Sequence, residues 1–100
     1  MSAMMVEADT YANLSAFQRD ILWILTNKGG LKGVAISDEL ESYYGEQVTH
    51  GQIYPNLDQL VDAGLIKKIP RNRRTNEYQL TEDAHQVLSA RQSWQEVDKV

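Results

Sequence analysis

Apolar side chains recur at three- and four-residue spacing along most of this chain, and the rhythm changes once, briefly, after Gly64. Phe17, Ile21, Ile24 and Leu25 mark one face of a first helix. Ser15 and Gln18 stand at the spacing of a capping box, in which each side chain satisfies a backbone donor of the other, and Gly29-Gly30 stops the helix. A second helix follows Gly33, carries Val34, Ile36, Leu40 and Tyr43 or Tyr44, and ends at Gly45, with Ser37 as an alternative start. Asp38, Glu39 and Glu41 form its wet face. The break Gly45-Glu46-Gln47-Val48 leads to a third helix, capped by Thr49 and Gln52 and buried through Ile53, Leu57, Leu60 and Val61. Pro55 lies too deep for the favoured first position of that helix. It removes one donor and crowds the Gly51 carbonyl, which predicts a kink or a loosened first turn.

Past Gly64 the pattern becomes extended. Leu65-Ile66-Lys67-Lys68-Ile69-Pro70 and Glu77-Tyr78-Gln79-Leu80 read as two short strands, joined by the polar, basic tip Arg71-Asn72-Arg73-Arg74-Thr75-Asn76. Thr81 then caps a last helix, with Glu82 and Asp83 at its positive end, running to about Lys99. Residues 1–13 are weakly patterned, as a frayed arm or a short extra helix. The fold class is therefore mainly α with a small β-hairpin. Helix, helix, short turn, helix and basic hairpin is the order of a winged helix-turn-helix over residues 14–81, with an added C-terminal helix over 82–100.

Charge sharpens that picture. Ten Lys and Arg against fourteen Asp and Glu give −4, which by itself discourages contact with a polyanion. Yet Lys67, Lys68, Arg71, Arg73 and Arg74 fall in one acid-free stretch, residues 67–74, worth +5. The rest of the chain then carries five cations and fourteen acids, or −9. On the third helix Gln52, Asn56 and Gln59 share an arc of roughly 60°, turned away from the apolar stripe. Amides can offer a donor and an acceptor together to adenine N6 and N7, and arginines suit phosphates or a narrow minor groove. The plain alternatives are a solvated charge run and a solvated polar face.

The run Ile53-Tyr54-Pro55-Asn56-Leu57-Asp58-Gln59-Leu60, then Gly64-Leu65-Ile66, the arginine-bearing wing and Tyr78-Gln79-Leu80-Thr81-Glu82 resemble the PadR-like winged-helix transcriptional regulators. The resemblance covers roughly residues 14–92. It implies a homodimer on double-stranded DNA, joined through C-terminal helices and bound at a pseudo-palindromic operator. On this chain it places Gln52, Tyr54, Pro55 and Asn56 in the groove-entering helix and Arg73 and Arg74 in the wing; the residue pattern adds Thr49, His50 and Gln59 and the wing cations Lys67, Lys68 and Arg71 to the expected DNA-binding set. Val87, Leu88, Arg91 and Trp94 are the expected dimer contact, because so small a domain leaves that helix face little else to cover. With one helix after the wing, the chain is similar to short-form members. Its acid-rich body, scarce lysine and lack of cysteine fit a salt-loving archaeal source and the stress-response members found there. In molar salt the Debye length falls to about 3 Å, so close contacts and shape must carry more of the affinity.

Other classes fare poorly. No paired carboxylates, nucleophile–base set or phosphate loop supports an enzyme, and no residue pattern calls for a cofactor. Without cysteine, disulfides and thiolate metal sites are excluded; His50 and His85 have no companion at ligand spacing and read as surface or packing residues. The longest apolar run, Ile21 to Leu25, is too short for a membrane span, and no secretory pattern opens the chain, so a cytoplasmic location is expected. Tyr43, Tyr44, Tyr54 and Trp23 read as partly buried core. Asp58 and Asp62 would sit near DNA only if the far end of the third helix tips out of the groove. A second function class stays open, a winged-helix module whose basic hairpin docks on an acidic protein partner.

Overall fold

The computed structural model describes residues 10–96; residues 1–9 of the expected arm and 97–100 of the expected last helix lie outside them. Three helices form the body: α1 (Ala16–Lys28), α2 (Gly33–Tyr44) and α3 (His50–Asp62). They are followed by the hairpin β2 (Ile66–Asn72) and β3 (Thr75–Leu80) and by α4 (Glu82–Gln95). A two-residue strand, β1 (Leu31–Lys32), completes an antiparallel sheet in the order β1-β3-β2. This is the winged helix-turn-helix architecture that the element order predicts.

Both predicted capping boxes form. Ser15 Oγ accepts from Gln18 N while Gln18 Oε1 accepts from Ser15 N, each at 3.1 Å. Thr49 and Gln52 repeat the exchange at the start of α3. Such a cap is worth about 1 kcal/mol to a helix. The exit of α3 is a Schellman motif: Gly64 at φ +77° lets Gly64 N reach Val61 O and Leu65 N reach Leu60 O, both at 3.0 Å. That turn delivers Leu65 and Ile66 into the core and starts the wing. α3 runs unbroken through Pro55.

The core is continuous. Ile21, Leu22 and Leu25 of α1 meet Ile36 and Leu40 of α2, Ile53, Leu57 and Leu60 of α3, and Ala84, Val87 and Leu88 of α4. Tyr11 closes one end, its hydroxyl accepting from Trp23 Nε1 at 3.0 Å, so the part of the arm that is described is helical at residues 10–12 and docked.

The structure corrects several expectations. β1 has no strand pattern of its own; Leu31 and Lys32 extend only because Tyr78 and Glu77 of β3 pair with them. Gly30 permits that approach, since a Cβ there would strike the Glu77 carboxylate and come within 2.9 Å of Gln79 Cγ. The hairpin pairs further than predicted, to Asn72↔Thr75, which shrinks the six-residue tip to the turn Arg73-Arg74. Val34 and Tyr43, expected on the buried face of α2, are 58% and 77% exposed, and Tyr44 is half-buried. The last helix stops at Gln95, where Glu96 turns extended.

Candidate nucleic-acid interface

Gly45, left-handed at φ +73°, ends α2 with its N donating to Glu41 O, and Val48 N donates to Glu41 Oε2, both at 2.8 Å; these two bonds hold the turn between α2 and α3. Tyr54 lies across the junction. A Cβ on Gly33 would come within 2.8 Å of its ring, and His50 meets it edge-on with centroids 5.5 Å apart. Tyr54 is thus half-buried packing between two helices, and Gly33 sets how closely α2 approaches α3.

The polar face of α3 is there, but it is fastened. Gln52 and Gln59 are exposed and Asn56 is half-buried. Gln52 Oε1 accepts from Thr49 N at 2.9 Å as part of the cap. Asn56 Nδ2 donates to Gln52 O at 2.7 Å. Asn56 Oδ1 and Gln59 Oε1 both accept from Gln18 Nε2, at 3.0 and 2.7 Å. Gln18 is the partner that the pattern did not single out beyond its capping role. One signal was available: it falls on the period of Ile21, Leu22 and Leu25, an amide at a core position, and it is 8% exposed.

The wing cations divide into two sets. Arg71, at the register shift between Pro70 and Asn72, grips Glu77 from across the hairpin through Nε and Nη2 at 3.2 and 3.1 Å. The hydrogen bonds from Arg71, then from Gln79, hold the Glu77 carboxyl below the usual carboxylate range. Lys68 Nζ lies 3.9 Å from Asp58 Oδ1, tying β2 to α3 and giving Asp58 a role within the fold. Among the described residues Lys67, Arg73 and Arg74 have no acidic partner, and all three are exposed. The tip is shaped by an Asx bond, Arg74 N donating to Asn72 Oδ1 at 3.1 Å.

The expected dimer stripe is not open along its length. Val87 and Leu88, expected in the dimer contact, are each 3% exposed within the single chain and packed against α1 and β3, so they belong to its own core. Arg91 and Trp94 lie beyond that packing. The Arg91 guanidinium sits over Trp94 at 4.3 Å and over Tyr11 at 5.0 Å, and Trp94 is 74% exposed. They border an open groove of about 1050 Å³, lined also by Arg19, His85 and Ala90. None of the described helices is long and apolar enough to cross a membrane.

A three-helix body with its wing beside a face of α3 that bears Gln52, Asn56 and Gln59 is the winged helix-turn-helix of transcriptional regulators. Residues 21–90 match the transcriptional regulator PadR-like family, and the chain belongs to that family of DNA-binding proteins, which are not enzymes. It is 46% identical to RosR of Halobacterium salinarum in a structure grown from NaBr, with a TM-score of 0.79 over 82% of this chain and 74% of that one. A complex structure of RosR gives 43% identity and a TM-score of 0.84, covering 88% and 76%. The chain is also 29% identical over 80 residues to the transcriptional activator GvpE2 of Halobacterium salinarum, and spans 37% of that protein's length. An overoxidised AbfR solved bound to DNA shares the fold at 18% identity, with a TM-score of 0.68 over 91% of this chain and 66% of that one.

Proposed function

We propose that this regulator reads double-stranded DNA as a homodimer, with α3 in the major groove and the wing along the backbone or minor groove of a pseudo-palindromic operator. The observation that carries the reading is the pairing of the amide stripe on α3 with a neighbouring hairpin whose Lys67, Arg73 and Arg74 have no acidic partner among the described residues, in a chain otherwise rich in acid. A surface helix ordinarily turns charge to water, whereas amides suit base edges and arginines suit phosphates. Trp94, Arg91 and the groove beside them form the dimer contact, placing two copies of α3 about one DNA turn apart. Any oxidant signal reaching the protein acts on something other than a thiol, since the chain has none.

The test is enrichment from a random-sequence duplex pool, followed by fluorescence anisotropy across a salt series. Two inverted copies of one short motif are expected among the recovered duplexes. No binding to any duplex, at low or high salt, refutes the reading and favours an acidic protein partner for the wing.

A further inference from the structure

The amides of α3 are held in one orientation, and that orientation limits what they can read. We infer that Gln18, a residue of α1, sets the hydrogen-bonding polarity of the α3 face so that it presents donors outward and selects acceptor edges, guanine N7 and O6 or thymine O4. This rests on α3 being the groove-entering helix.

The constraint starts at a backbone group that leaves no choice. Ser15 N can only donate, so the Gln18 atom bonded to it is oxygen, and the other end of that amide, Nε2, faces α3. An amide nitrogen cannot accept, so Asn56 and Gln59 must both turn oxygen toward Gln18. A second fixed group agrees at Asn56: the Gln52 carbonyl can only accept, which again puts the Asn56 nitrogen at the opposite end. Gln52 is fixed the same way by Thr49 N. All three amides therefore have their oxygens bonded within the protein. Among the described residues the nitrogens of Gln52 and Gln59 have no partner, and Asn56 Nδ2 keeps one hydrogen free.

Asn56 Oδ1 and Gln59 Oε1 each keep one lone pair, but among the described residues the face offers five unbonded amide hydrogens against those two, so it favours a row of acceptors over the paired donor–acceptor edge of adenine. It matches adjacent acceptors, as guanine offers with N7 and O6, and it mismatches the exocyclic donors of adenine and cytosine. Gln18 touches no base in this arrangement; it is a positioning residue, buried where an apolar side chain would otherwise continue the core.

The test is selection from a random duplex pool by the full chain and by three variants, Gln18→Glu, Gln18→Met and Gln59→Glu. The wild type should recover guanine or thymine at the positions facing α3. Gln59→Glu keeps one oxygen on Gln18 Nε2 and turns another outward, so one position should switch to cytosine or adenine, by roughly tenfold or more in relative enrichment. Gln18→Glu retains the bond from Ser15 N but offers oxygen to α3. Gln59, free at its far end, then turns over, and the same position should switch. Gln18→Met releases the amides, and the preference there should broaden. A purely structural role for Gln18 would weaken all sequences alike and leave the recovered motif as it was, which overturns the proposal. So does an unchanged motif with Gln59→Glu, whose exposed site tolerates the change. A wild type that enriches no sequence rejects the DNA reading itself, whereas a wild-type motif unaltered in both Glu variants rejects only the role of Gln18.

Discussion

Neutralising the tip of the wing should change the salt dependence of DNA binding, and the structure says by how much. Of the five cations in residues 67–74, Lys68 and Arg71 are already paired with Asp58 and Glu77. Only unpaired cations gain fully from a phosphate, because a paired one must leave its carboxylate first. Each phosphate neutralised contributes about 0.9 to the slope of log K against log salt. An Arg73→Gln/Arg74→Gln chain loses two contacts per wing and four per dimer, a slope change of about 3.6. Over a tenfold rise in salt the wild type should then lose about 4,000-fold more affinity than the variant. Fluorescence anisotropy on one selected duplex, in steps from low to high salt, measures this directly. Lys68→Gln and Arg71→Gln should leave the slope nearly unchanged. Equal slope changes from the paired and unpaired cations, or none from the double variant, would refute the division of the wing into structural and DNA-facing charge.

Further outcomes follow from the packing. Gly33→Ala pushes a methyl against the Tyr54 ring and should cost about 1–3 kcal/mol in urea unfolding; a Tyr54→Leu background should recover part of that. Leu88→Ala empties a site in the core of the single chain and should cost about 2–5 kcal/mol, and truncation after Leu80 should abolish folding. Trp94→Asp, on exposed surface, should keep the fold and shift light scattering toward monomer. The Tyr44 phenol donates to Asp20 Oδ2 at 2.6 Å, and burial, then Asp20, pushes its titration above the ordinary range near 10. Its contribution is complete below about pH 10 and is lost as pH rises through the raised folded value. The stability gap between wild type and Tyr44→Phe, followed by urea unfolding, should therefore narrow on going to strongly alkaline pH.

Local chemistry was sufficient for the helices and for the order of the fold. Capping boxes, helix-stopping glycines and the switch in apolar period after Gly64 act over a few residues, so they can be read along a line. The wing's charge and the amide stripe on α3 were visible for the same reason. What the tertiary structure decided depends on which neighbour arrives. β1 exists only because β3 lies beside Leu31 and Lys32, and Val87 and Leu88 belong to the core because α1 packs over them. Periodicity identifies an apolar face but not what covers it. Likewise charge can be counted from composition, while which cations are already neutralised depends on Asp58 and Glu77 lying within reach. The polarity of the α3 amides is the furthest from the sequence, since it is imposed through Gln18 from a helix about forty residues earlier in the chain.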